Sequence, residues 1–256
     1  MHPNPIIHTP TGQSIFYLGP PISEGIKPTV IYFALSAEAT LFQDPFNQPA
    51  LEWAREGIRV FSWDLPFHGK SLDTQAAMFQ WAVQFAQNSA FISNFIEECQ
   101  NNLQFLKNEN LIDSTRLAVA GLSRGGFMAT HFAARQPDIG LVLGFAPLTQ
   151  PESLEEFNTG SAQNYRSVEL VNLVDQLTYT PLRFYIGNHD IRVKTDACFA
   201  FIKELTDRSF SKGVRSPQSE LIIYPSIGHK GHGTPPEIFT DGAVWLKNRL
   251  LNRVSS

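Results

Sequence analysis

Three residue types in this chain carry the parts of a nucleophilic acyl-transfer site. Ser123 stands in Gly121-Leu122-Ser123-Arg124-Gly125, a G-x-S-x-G pattern. A sharp strand-to-helix turn would lift its hydroxyl clear of the backbone, and a glycine on either side lets the neighbouring chain pass without a clash. The pattern alone is weak, because Gly and Ser are common; its context carries the argument. It follows an apolar Arg116 to Ala120 run and precedes an Ala-rich Phe127 to Arg135 stretch, a strand and then a helix. Asp190 lies just beyond the apolar Phe184-Tyr185-Ile186. There a carboxylate can accept a hydrogen bond from a histidine Nδ1–H, fixing the tautomer and stabilising the imidazolium that forms. Asp196, where a helix begins, is better explained as a carboxylate at a helix N-terminus. The base is sought in Ile227-Gly228-His229-Lys230-Gly231-His232-Gly233. His229 comes sooner after the last strand and follows a glycine that permits a sharp turn, so it is the expected base, with His232 the alternative. His189 shares the acid's tight loop and is expected to point elsewhere, while His68 and His131 read as structural or substrate-lining. Such a set works in two stages: serine attacks a carbonyl, an acyl-enzyme forms, and water activated by the same imidazole releases the acid. The backbone N–H of Arg124, at the start of the following helix, is the expected first oxyanion donor.

The elements that must hold these residues alternate. Ile6 to His8 and Ser14 to Tyr17 flank a Pro- and Gly-bearing turn and predict an antiparallel hairpin at a sheet edge. Thr29 to Leu35 is a continuous apolar and β-branched run, as in a strand buried on both faces. A helix from about Pro49 to Glu56, ended by Gly57, leads to a strand over Ile58 to Trp63. A long helical region from about Phe79 to Asn110 has a polar break near Gln87-Asn88-Ser89. Later strands are expected at Leu141 to Phe145, Leu182 to Ile186 and Leu221 to Tyr224, with helices near Thr195 to Asp207 and Phe239 to Asn252. Strand and helix in alternation predict a mostly parallel twisted sheet with helices on both faces. The chain reads as one α/β domain, 1–256, with a polar insertion at 148–180 that could form a short lid.

The chain resembles the α/β-hydrolases, nearest the serine-esterase and prolyl-oligopeptidase-like branches. Gly121-Leu122-Ser123-Arg124-Gly125-Gly126 matches the family's nucleophile motif, and Asp64-Leu65-Pro66-Phe67-His68-Gly69-Lys70-Ser71 resembles its D-x-P-x-H-G-x-S loop. An acid and a histidine follow in the family's order, and its Gly-His pattern points to His229. The resemblance implies an α/β-hydrolase fold and hydrolysis of a carboxylic ester or related acyl bond. It also implies a second oxyanion donor in the loop after the early strand, carried by position onto the backbone N–H of Ser36. Here the chain departs from the family, having Ala34-Leu35-Ser36 in place of His-Gly. That departure leaves a non-catalytic binding protein of the same fold as the alternative, and peptidase, thioesterase and lactonase chemistry stay open.

Composition narrows the partners. The formal charge of −4 and scattered Lys and Arg give no basic field for nucleic acid. Cys99 and Cys198 have no neighbouring ligands at metal-binding spacing, so neither a metal nor a cofactor is expected. No apolar run approaches membrane-spanning length, and Met1 to Pro5 show no basic segment followed by an apolar run; a cytoplasmic enzyme acting on a small acyl substrate is the expectation.

Overall fold

The computed structural model describes residues 5–69, 76–87, 90–157 and 165–252. Lys70 and Ser71 of the D-x-P-x-H-G-x-S loop, Asn88 and Ser89 of the polar break, and 158–164 of the insertion lie outside them. Among the described residues, eight strands form one sheet. The hairpin β1 (Ile6–His8) and β2 (Ser14–Leu18) is antiparallel and forms one edge, followed across the sheet by β4 (Arg59–Ser62) and β3 (Lys27–Phe33). Then come β5 (Ile112–Leu122), β6 (Val142–Phe145), β7 (Leu182–Gly187) and β8 (Ser219–Tyr224), all parallel to β3.

The apolar runs that predict buried strands divide between two cores with the period of two that a strand imposes. Val30 and Tyr32 enter one core with Val60, Leu143, Phe145 and Tyr185. Ile31 and Phe33 enter the other with Phe61, Val142, Phe184 and Ile186. The first is covered by α1 (Ala37–Phe42), α2 (Gln48–Arg55) and α8 (Pro236–Leu251), which bring Leu41, Trp53, Phe239 and Leu246. The second is covered by α3 (Ala77–Gln87), α4 (Phe91–Asn108), α5 (Arg124–Ala133) and α7 (Thr195–Ser211). The long helical region is thus two helices, parted near the polar break. Helix α1 was not legible in the sequence: it spans six residues, too few to display an amphipathic period. Between β6 and β7 the chain makes short 3₁₀ turns at Pro151–Ser153, Glu155–Phe157, Arg166–Val168 and Leu170–Leu173, then α6 (Val174–Leu177).

Parallel strands with helices on both faces leave the carboxyl ends of β3 to β8 along one rim. In open α/β sheets that rim is where ligands bind, and the chemically suggestive residues meet there.

Candidate active site

Ser123 occupies the turn between β5 and α5 with φ 54° and ψ −117°. A non-glycine residue pays about 1–3 kcal/mol for such backbone and keeps it only where its surroundings dictate it. Here they do: Ser123 N–H donates to Phe145 O at 2.8 Å, and Ser123 O accepts from Phe127 N–H at 3.2 Å and Leu148 N–H at 3.1 Å. The glycines are required by proximity. A Cβ on Gly121 would lie 2.2 Å from the Gly125 carbonyl carbon, and one on Gly125 would lie 2.0 Å from Phe33 O. The turn thus lets α5 sit directly against β5 and β3.

Asp190 is 3% exposed, in the loop after β7. Its Oδ1 accepts from the backbone N–H groups of Arg192 at 2.9 Å and Val193 at 3.0 Å, which leaves Oδ2 for a side-chain partner. That partner is His232, whose Nδ1 lies 2.7 Å away. A carboxylate only accepts, so Nδ1 carries the proton and Nε2 presents its lone pair. Ser123 Oγ stands 2.9 Å from that Nε2. One imidazole therefore touches both the acid and the hydroxyl.

The expectation that His229 fills this place is corrected. Gly228 (φ 72°), Lys230 (φ 55°) and Gly231 (φ 71°) turn the chain back on itself, and Gly233 N–H closes the loop on Ile227 O at 2.8 Å. His229 falls at the tip of this loop and is exposed, while His232 returns to the rim. A neighbouring loop enforces the fold: a Cβ on Gly231 would lie 2.2 Å from His189 O, and Ile191 N–H donates to Lys230 O at 3.0 Å. The loops that carry Asp190 and His232 interlock.

Ser36, the second expected oxyanion donor, is not among the residues that line the Ser123 cavity. Ser36 caps α1, its Oγ accepting from Ala39 N–H at 3.1 Å, and it borders a separate hollow with Asp64 and Phe16. The loop residues that reach the Ser123 cavity are Ala34 and Leu35, and Thr40 Oγ1 receives both of their N–H groups, at 3.2 and 3.1 Å. Arg124, by contrast, keeps its expected position. It is the first residue of α5, whose opening N–H groups have no carbonyl within the helix.

The cavity at Ser123 and His232 has a volume of about 280 Å³ and is walled by Ala34, Leu35, Phe46, Leu122 and Phe239, with Arg124 and Thr234 as polar members. Sequence reasoning missed Phe46 and Phe239, which come from distant segments brought to the rim by topology. It also missed an ionic frame around the two loops. Glu156, on a turn between β6 and β7, holds Arg192 with two parallel bonds, and Glu155 holds Lys230 Nζ at 2.6 Å. His68 Nδ1–H donates to Pro66 O at 2.8 Å, and its Nε2 accepts from Arg124 Nη1 at 2.7 Å. Burial, and then the Arg124 charge, push its pKa down to about 4, so it is neutral. His131 donates from Nε2 to Val168 O at 2.8 Å, and burial pushes its pKa down to about 3. Among the described residues no three His, Cys, Asp or Glu side chains gather as a metal-binding group, and no helix is long and apolar enough to cross a membrane.

Neither a family model nor a characterised protein sequence matches the chain. Solved structures do. A Thermus thermophilus protein superposes with a TM-score of 0.70 at 17% identity, covering 98% of this chain and 99% of that one. A Pyrococcus furiosus esterase gives 0.64 at 17% identity, covering 98% and 91%. Porphyromonas gingivalis dipeptidyl peptidase 4 gives 0.70 at 17% identity over 96% of this chain, which spans only 35% of that peptidase. With the eight-stranded order, the parallel rim and the strained serine turn, these likenesses show that the chain has the α/β-hydrolase fold.

Proposed function

We propose that this protein is a serine hydrolase that cleaves a carboxylic ester or related acyl bond through Ser123, His232 and Asp190. The observation that carries the reading is the single imidazole held 2.9 Å from the Ser123 hydroxyl and 2.7 Å from the Asp190 carboxylate. Ser123 Oγ adds to the substrate carbonyl carbon while its proton passes to His232 Nε2. The tetrahedral oxyanion is met by the Arg124 N–H, and the alcohol leaves with the proton from His232. Water then gives its proton to His232 and its oxygen to the acyl carbon, releasing the acid and restoring Ser123. Asp190, fixed by two backbone N–H groups, steadies the imidazolium in both stages.

The esterase and peptidase among the similar folds agree with this class of reaction, and the small, largely apolar cavity favours a short acyl or alcohol group over a long chain. One observation favours the alternative of a binding protein: the loop amides of Ala34 and Leu35 are already spent on Thr40 Oγ1. Labelling with a fluorophosphonate separates the two. Wild-type protein is expected to be labelled at Ser123, and Ser123→Ala, folded by circular dichroism, is expected to lose the label. A wild-type protein inert to several such probes would establish the binding reading.

A further inference from the structure

Among the described residues, no carboxylate is hydrogen-bonded to the cation that stands next to the nucleophile, Arg124. Arg124 turns its guanidinium to the loop after β4, where Nη1 donates to His68 Nε2 at 2.7 Å. His68 is 1% exposed and neutral, its other nitrogen committed to Pro66 O. It supplies a lone pair but no charge. A carboxylate within electrostatic reach of Arg124 is Glu156, which is gripped at both oxygens by Arg192. Among the described residues the other acids near this rim are engaged elsewhere, Asp190 with His232, Glu155 with Lys230, and Asp64 with the Ala37 N–H. Two guanidinium groups thus share one carboxylate beside the reacting serine. Shielding from water, with the Arg192 charge as the second cause, lowers the Arg124 pKa to about 10 in spite of Glu156.

A shielded charge is ordinarily paired, because an unmatched one sacrifices hydration for nothing. Arg124 also has the wrong partner for a purely structural guanidinium. Its planar fork suits two parallel bonds to a carboxylate, and here it spends one N–H on an imidazole. Arg124 is moreover a wall of the cavity that holds Ser123 and His232. We propose that the missing anion is the substrate's: Arg124 recognises a carboxylate a few atoms from the scissile carbonyl, so that the favoured substrates are half-esters or esters of carboxylated alcohols. The proposal rests on the hydrolase reading and adds a substrate class to it. Binding energy from a group remote from the reacting bond would hold the carbonyl over Ser123.

The test compares three phenyl esters with the full chain: phenyl butyrate, the phenyl half-ester of adipic acid, and 4-(butanoyloxy)benzoate. The second carries its carboxylate on the acyl half, the third on the leaving group. The quantity read is the ratio of kcat/KM for each anionic ester to that for phenyl butyrate. For wild type we expect one of the two ratios to be about tenfold to a hundredfold, the range of a hydrogen-bonded charge. In Arg124→Met that ratio should collapse toward one whatever happens to the neutral rate, and in Arg124→Lys it should be intermediate. Wild-type ratios at or below one for both anionic esters, or a ratio that survives in Arg124→Met, would overturn the proposal while turnover of phenyl butyrate upholds the hydrolase reading. A wild-type protein that turns over none of the three and leaves fluorophosphonate untouched would remove both. Should Arg124→Met fail to fold, protection decides: adipate should slow labelling of wild-type Ser123 and butyramide at the same concentration should not. Equal protection by the two would count against Arg124.

Discussion

A serine hydroxyl has little nucleophilicity until a base stands ready for its proton, so the identity of that base is the sharpest question at the scale of single residues. Only one of the two histidines in the loop after β8 touches both partners. His232→Ala is therefore expected to lower kcat by at least about 10³-fold, and His229→Ala, at the exposed tip, to stay within about tenfold of wild type. Steady-state turnover of phenyl butyrate by the two folded variants checks this, and the opposite pattern would show that the loop refolds in solution. The places of Ser123 and Asp190 on the rim were legible because each follows an apolar strand. Which histidine meets them was not. That choice depends on three left-handed residues in a seven-residue loop, and a shift of three positions along a loop leaves no periodic trace in the sequence. The signal that was present, glycines at both 228 and 231, permits a fold-back without requiring one. What requires it is the neighbouring loop, through His189 O and Lys230 O.

At the scale of elements, the site depends on how closely α5 approaches the sheet. The Gly121 and Gly125 contacts leave no room for a methyl group, since a Gly125 Cβ would overlap Phe33 O at 2.0 Å. Gly125→Ala should push the start of α5 away from β3. The expected cost is about 1–3 kcal/mol in urea unfolding. A loss of about 100-fold in kcat should accompany it, since a misplacement of about 1 Å is enough for that. A variant with wild-type stability and turnover would mean that the turn tolerates a wider seat. Strands and long helices were legible because burial on one or two faces writes a period into the sequence. The segment between β6 and β7 was legible only as polar and irregular. Its 3₁₀ turns are three or four residues long, and its role near Lys230 and Arg192 is fixed by ion pairs across more than thirty residues.

For the whole molecule, two buried imidazoles tie stability to pH. In the unfolded chain a histidine binds its proton near 6.5, whereas His68 does so at about 4 and His131 at about 3 in the fold. Between those values the unfolded state holds more protons. Stability from keeping both rings neutral is therefore complete above about pH 6.5 and is lost progressively as the pH falls toward 4 and then 3. The urea midpoint is expected to drop between pH 7 and pH 4.5, and His131→Asn should show a shallower drop than wild type. A midpoint that does not move over this interval would mean that the two rings are solvated in solution. The architecture also sets what can shift against what. Ser123 belongs to the sheet, bound to Phe145 and Leu148. Asp190 and His232 belong to two interlocked loops, and Glu155 and Glu156 tether both of these to a single turn outside the sheet. The same turn therefore grips both partners of the 2.7 Å contact, Asp190 through its loop and His232 through its own, while Ser123 is held from the sheet alone. A displacement of that turn would pull on both loops at once, and so would act on the 2.9 Å gap between His232 and Ser123 more than on the 2.7 Å contact within the pair.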